Sequence, residues 1–129
     1  MFTLTMITPE GKKHISENTR ISLPTEDGIR TILANHMDIV VPVVIGKVKV
    51  IKDNQSDAVV ISEGIFYFKD NEAKLFVRTF EFSEEIDRIR AERAKERAEE
   101  MLKRKLDSRE MHEAELALKR ALTRLSVTR

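Results

Sequence analysis

Between Glu84 and Lys105 the chain reads EEIDRIRAERAKERAEEMLKRK, and it sets Arg88, Arg90, Arg93 and Arg97 close together although its formal charge is only +1. A solvated helix face needs charge of either sign, and lysine serves it as well as arginine. Arginine in quantity suits a planar anion, which the guanidinium fork can hold bidentately. Helical spacing of about 100° per residue sharpens the point. It gathers Ala91, Ala94, Ala98, Met101 and Leu102 on one stripe, with Asp87 in its middle and Arg90 and Arg97 along one border. Further on, Met111, Ala114, Ala117, Leu118, Ala121, Leu122 and Leu125 make a second stripe, bordered on its alanine edge by Arg120 and Arg124. Alanines on both stripes allow close approach, which would bring the four bordering guanidinium groups near one carboxylate. A plainer purpose competes: arginines beside an apolar stripe snorkel and pair with glutamates one turn away, as Glu84 and Arg88 would, for about 0.2–0.5 kcal/mol a pair.

Two kinds of element must position these side chains. All four glycines and all three prolines fall within the first 64 residues, as turns in a sheet-rich region would leave them. Between them lie short runs rich in β-branched residues: Phe2–Ile7, Ile15–Leu23, Ile39–Ile51, Ala58–Ser62, Ile65–Phe68 and Ala73–Phe82. Many short strands with turns between them predict a β-sandwich or flattened barrel. The tripeptide KDN occurs at Lys52–Asn54 and at Lys69–Asn71, each time between apolar runs, as a hairpin turn would. After Phe82 the period changes to that of a helix. Ser83 is the expected N-cap, with Glu84 and Glu85 in the first turn, and a helix is expected from Glu84 to Lys105. Asp107 or Ser108 offers the next cap, and Asp107 with Glu110 resembles a capping box opening a helix to about Ser126. So short a connection folds two helices into an antiparallel hairpin. The expected class is α+β, with an N-terminal sandwich over residues 1–83 and a C-terminal two-helix hairpin over 84–129. An alanine seam buries little surface, so at about 25 cal/mol per Å² the hairpin is only marginally stable, as a switch requires.

Composition narrows the chemistry. Residues 84–129 hold 13 basic and 11 acidic side chains, too even a balance for the one-signed patch of a nucleic-acid binder. The absence of cysteine removes disulfides and thiolate metal sites. His14, His36 and His112 lie without metal-ligand spacing, so no metal site is expected, and no Gly-rich phosphate loop ending in Lys-Ser or Lys-Thr is present. No apolar run approaches the length of a membrane span, and no secretion signal is read at the N-terminus, so a cytoplasmic protein is expected.

Three segments then carry a resemblance: TPEGKK near the N-terminus, LPTEDGIRTILANH from Leu23 to His36, and AELALKRALTRLSV from Ala114 to Val127. Over essentially its whole length the chain resembles the epsilon subunits of bacterial F-type ATP synthases. The resemblance implies a non-catalytic part of the rotating central stalk, peripheral at the cytoplasmic face of the cell membrane. Its sandwich would hold the gamma subunit and meet the polar loops of the membrane ring of c subunits, here through Glu26, Asp27, Gly28 and His36. Its hairpin would open, extend along gamma toward the alpha and beta subunits of the catalytic head, and impede ATP hydrolysis. Arg88, Arg93, Lys103, Arg104 and Lys105 are the basic residues that would meet acidic surface there. Some members of the family bind ATP on the folded hairpin through a sequence I/L-D-x-x-R-A, which Ile86, Asp87, Arg90 and Ala91 match here. Glu81, Arg97, Arg120 and Arg124 match the further positions. ATP would act as a regulatory ligand, with Asp87 or Glu81 accepting from the adenine amine or orienting an arginine; participation of magnesium is left open. A rival expectation is a sandwich adaptor whose hairpin stays closed and docks a protein partner without sensing nucleotide.

Overall fold

Alternation along β1 (Phe2–Ile7) buries Phe2, Leu4 and Met6 and turns Thr3, Thr5 and Ile7 to the other face, because successive strand side chains point to opposite sides. The computed structural model describes residues 1–128. Nine further strands follow: β2 (Lys13–Asn18), β3 (Arg20–Thr25), β4 (Gly28–Leu33), β5 (Ile39–Val43), β6 (Gly46–Lys52), β7 (Gln55–Ile61), β8 (Gly64–Lys69), β9 (Glu72–Val77) and β10 (Phe80–Phe82). They form two five-stranded sheets, ordered β2-β1-β9-β8-β5 and β10-β7-β6-β3-β4. All pairings are antiparallel except that of β1 with β9. Phe2, Phe66, Phe68 and Leu75 from the first sheet meet Ile21, Leu23, Val48, Val59 and Phe80 from the second in one apolar core. The expected sandwich is the observed one.

Both KDN tripeptides are hairpin turns. Lys52 pairs with Gln55 and Lys69 with Glu72 across two-residue loops. In the second, Asp70 (φ 49°) and Asn71 (φ 60°) are both left-handed, the backbone a type I′ turn needs.

Three of the expected runs are each two strands. Ile15–Leu23 breaks at Thr19, where the chain crosses from one sheet to the other and the Thr19 N–H donates to the Ile51 carbonyl at 2.7 Å. Ile39–Ile51 breaks after Val43, and Ala73–Phe82 breaks at Arg78–Thr79, for the same change of sheet. Apolar content stays high through such crossings, so periodicity alone does not mark them. The segment between Glu26 and His36, the residues expected to meet the ring, contains a strand, β4. It is an edge strand whose only buried side chain is Ile32, so the alternation that marks a half-buried strand is weak.

The helices are α1 (Arg88–Leu102) and α2 (Ser108–Val127). The start of α1 differs from expectation. Ser83–Glu85 forms a short 3₁₀ turn, Ile86 and Asp87 are extended, and Asp87 is the cap, its Oδ1 accepting from the Arg90 N–H at 3.1 Å. An Asp side chain satisfies one of the orphan donors of a first turn as well as Ser does, and here the acidic pair at Glu84–Glu85 is left outside the helix. The other end closes early as well: the Lys103 and Arg104 N–H groups bond back three residues, to Glu100 and Met101, so Lys103–Lys105 lie in the connection. Asp107 caps α2 as expected, with Oδ1 accepting from the Glu110 N–H at 2.8 Å. That bond is also the first cause of the lowered pKa of its carboxyl group. The seam is buried at Ala91 and Ala98 on α1 and at Ala114 and Ala121 on α2, two pairs each seven residues apart, as the small-residue reading requires. Met101 and Leu122, expected within the stripes, are exposed. The hairpin lies on the second sheet through contacts of α2 with β6 and β7.

Candidate functional site

Three pieces of chain with different reasons for their shape enclose one cleft. β10 presents Glu81 outward because its neighbour Phe80 fills the core. The extended residues Ile86 and Asp87 follow the 3₁₀ turn, and the first three turns of α1 bring Arg90, Ala91, Ala94 and Arg97 to the same side. From the far end of α2 comes Arg124. Together with Thr8, Lys12 and Arg78 from the sandwich they line a cleft of about 540 Å³, within the ~300–1,000 Å³ of sites for small organic ligands.

The ion pairs of the cleft divide its charges into engaged and free. Arg124 Nε donates to Glu81 Oε1 at 2.9 Å, with both side chains about two-thirds covered. Lys12 Nζ donates to Glu85 Oε2 and to the Phe80 carbonyl, each at 2.7 Å, and stands 4.5 Å from the centre of the Phe80 ring. The Lys12 ammonium and the Phe82 N–H, which reaches Glu85 Oε1 at 3.0 Å, hold the Glu85 carboxyl below its ordinary value against the opposing effect of burial. Asp87 spends one oxygen on its cap. Arg90 and Arg97 pair with no carboxylate among the described residues; Arg97 Nε reaches only the Arg93 carbonyl at 3.4 Å. Two guanidinium groups without an acid partner, facing a cleft that Arg78 and Arg124 also line, can bind a polyanion by charge-assisted hydrogen bonds. Elsewhere on the helices the plainer pairing operates, with Arg88 on Glu92 at 3.2 Å and Arg109 on Glu113 at 3.5 Å. The expected Glu84–Arg88 pair is not among them, since Glu84 is outside the helix.

The structure thus brings Glu81, Ile86, Asp87, Arg90, Ala91, Arg97 and Arg124 to one cleft, while Arg120 lies half-buried one turn earlier on α2, outside the lining. Arg88 and Arg93 are exposed on α1, and Lys103, Arg104 and Lys105 are exposed beyond its other end, roughly 22 Å away at 1.5 Å per residue. Glu26 and Asp27 form the tip of the β3–β4 hairpin beside Gly28 (φ 114°), but His36 stands past the opposite end of β4. There it packs edge-on against Phe68 at 6.1 Å, with its Nδ1 2.7 Å from the Met37 carbonyl. Lys12 and Glu85 were not singled out from the sequence as cleft residues. They are 73 positions apart, and no local spacing joins them; the TPEGKK string that contains Lys12 drew notice only as a likeness. No group of three or more His, Cys, Asp or Glu side chains placed to hold a metal occurs among the described residues, and no described helix is long and apolar enough to cross a membrane.

The sandwich and the hairpin each match a family model. Residues 1–83 match the ATP synthase delta/epsilon chain β-sandwich domain, and residues 84–129 match the long α-helix domain of the same chain. Among curated relatives, the ATP synthase epsilon chain of Caldicellulosiruptor bescii is 41% identical over 126 residues, covering 98% of this chain and 92% of that one. That of Bacillus licheniformis is 38% identical over 124 residues, covering 96% and 95%. A chain in the cryo-EM structure of the Euglena gracilis mitochondrial ATP synthase, OSCP/F1/c-ring, shares the fold with a TM-score of 0.78 at 24% identity, over 92% of this chain and 75% of that one. With both domain models matched in order and bacterial relatives aligned nearly end to end, the chain belongs to the delta/epsilon family of ATP synthase subunits, as an epsilon chain of the F-type enzyme and a non-catalytic one.

Proposed function

We propose that this epsilon chain couples the central stalk to the membrane ring, and that its hairpin is a nucleotide-sensitive brake: closed with ATP bound, open and inhibitory to hydrolysis without it. The observation that carries the reading is the pair Arg90 and Arg97, which face the cleft without a carboxylate partner while Arg124 completes the lining from the other helix. A triphosphate offers these forks several anionic oxygens. Glu81 aims Arg124, which leaves the Asp87 oxygen not used by the cap as the acceptor available to the adenine amine. Glu85 and Glu81 are engaged with Lys12 and Arg124, and Asp87 gives one oxygen to its cap; with Glu10 the other acid of the lining and no cluster of three metal-ligating side chains among the described residues, any magnesium ion would arrive on the phosphates rather than on a protein site. Because the ligand touches α1 and α2 together, it stabilises only the closed hairpin. At about 100 times its dissociation constant it adds about 2.7 kcal/mol, enough to tip an alanine seam.

The sandwich offers surfaces for the stalk partners. On the outer face of β5, β8 and β9, Val40, Ile65, Tyr67 and Phe76 are exposed side by side, with Val40 opposite Tyr67 and Ile65 opposite Phe76. Contiguous exposed apolar side chains of this kind mark protein contacts, and this face is the proposed seat of gamma. The β3–β4 hairpin, with Glu26, Asp27 and Gly28 at its tip and Ile29 80% exposed, is the proposed contact with the ring, which would hold the chain peripherally at the cytoplasmic face of the membrane.

Calorimetric titration of ATP into the full chain tests the nucleotide half. The expected result is saturable one-to-one binding, weakened at least about tenfold in Arg90→Ala and in Arg124→Ala, each of which removes a fork from a different helix. Absence of binding at millimolar ATP would sink the sensing reading and favour the permanently closed adaptor. For the brake, neutralising Arg88, Arg93, Lys103, Arg104 and Lys105 together in the assembled enzyme should relieve inhibition of hydrolysis and make what remains less sensitive to salt. Unchanged inhibition would remove these residues from the contact with the head.

A further inference from the structure

Lys12 is fixed at both ends. Its backbone closes the turn Thr8–Lys12, where the Thr8 N–H donates to the Lys12 carbonyl and the Lys12 N–H to Thr8 Oγ1, both at 3.0 Å. Gly11 (φ 94°) supplies the left-handed residue this turn needs, and Thr8 is buried. At the other end the ammonium group joins the Phe80 carbonyl to Glu85 Oε2, and Glu85 Oε1 takes the Phe82 N–H. One side chain therefore ties the last strand of the sandwich to the last residue of the 3₁₀ turn, two positions before the cap of α1.

The sequence of this strap allows a second conformation. Ser83 followed by Glu84 and Glu85 is a sound helix start on local preference alone, and a helix begun there would carry Ile86 and Asp87 into its first turn and remove the Asp87 cap. Glu85 would also turn away, since in a helix its side chain follows the 100° step rather than the outward path it takes toward Lys12. The observed chain instead keeps Ile86 (φ −90°, ψ 123°) and Asp87 (φ −82°, ψ 107°) extended.

We infer that Lys12 is a positioning residue of the cleft: its bond to Glu85 selects Asp87 over Ser83 as the start of α1, and so sets Ile86, Asp87 and Arg90 where the cleft needs them. The consequence for ligand affinity rests on the nucleotide reading above; the choice of helix start does not. Without the bond the strap samples the longer helix, and a nucleotide must reverse that before it binds, which lowers the apparent affinity by the fraction of competent molecules.

The test is Lys12→Met in the full chain, read by backbone carbon chemical shifts of Glu84–Asp87 and by calorimetry with ATP. Expected are a move of the Ile86 and Asp87 shifts from extended toward helical values, a loss of ATP affinity of about fivefold, and recovery of both in Lys12→Arg. Glu85→Gln, which keeps an acceptor for the Phe82 N–H, should move the shifts in the same direction and serves if Lys12→Met folds poorly. Unchanged shifts at Ile86 and Asp87 overturn the inference, and so does unchanged ATP affinity where the parent chain binds. A parent chain that binds no ATP sinks the nucleotide reading alone, and the shifts still decide whether Lys12 sets the helix start.

Discussion

Glu85 carries a pH signature that its partners explain. Its carboxyl group is held below the ordinary value of 4.5 first by the Lys12 ammonium and then by the Phe82 N–H. A depressed acid contributes stability that is fully present above its unfolded value and is lost as the pH falls through the folded one. The melting temperature of the parent chain should therefore exceed that of Glu85→Gln from neutral pH down to about pH 5, and the gap should close below the unfolded value of 4.5. Differential scanning measurements of the two proteins across that range check it, and a gap independent of pH would mean that the charge on Glu85 is not what Lys12 holds. The pair is exposed enough for salt to weaken it, so raising the ionic strength should narrow the gap too. At this scale Arg90, Arg97 and Arg124 were legible in the sequence because helical spacing is local, whereas Arg120, read with them, falls outside the lining and Arg78, on the sandwich, gave no such signal. Lys12 was not, because the fold alone brings a turn near residue 10 against the strap after β10.

At the scale of elements, a cap decides more than a propensity does. Asp87→Ala should cost about 1 kcal/mol at the start of α1 and raise amide exchange over Arg88–Ala91 while leaving α2 protected. Equal loss of protection on both helices would mean that the hairpin opens as one unit. The same cap explains what the sequence concealed. Ser83 and Asp87 are both good capping residues four positions apart, and the acids that follow Ser83 favour the wrong one; the bond from Lys12 to Glu85, which no local pattern shows, tips the choice. The seam was easier to read. Ala91 with Ala98 and Ala114 with Ala121 repeat every seven residues, and only small residues there let two helices touch. Strand β4 was harder, since an edge strand with Ile32 alone buried gives little alternation to detect.

At the scale of the molecule, the apolar core contains no helical residue among the described residues. It runs from Phe2 to Phe80 and closes with Phe82 packed at its margin. A chain of residues 1–83 should therefore unfold cooperatively on its own. It leaves uncovered the face of β6 and β7 that α2 overlies, where Val60, which faces away from Val59 and Ile61, is buried although it lies outside the core cluster. Exposing that side chain forfeits about 1.5–3 kcal/mol, so a lower melting temperature with cooperativity retained is expected by circular dichroism. Loss of a cooperative transition would show that the hairpin is part of the fold rather than an appendage to it. That separation was visible in the sequence as a change of grammar at Phe82, from punctuated alternation to an uninterrupted helical period.

The parallel pairing of β1 with β9 has a consequence during synthesis. β1 sits inside its sheet, between β2 and β9, so once translated it keeps one open edge until Glu72–Phe76 emerges to meet Thr3–Ile7. At roughly 5–20 residues per second the nascent chain carries that unpaired edge for several seconds. The hairpin is made last, from contacts close in sequence that form quickly once translated. The sandwich is thus sealed before the hairpin exists, and a chain truncated within the hairpin by premature termination would leave behind a sandwich still able to fold.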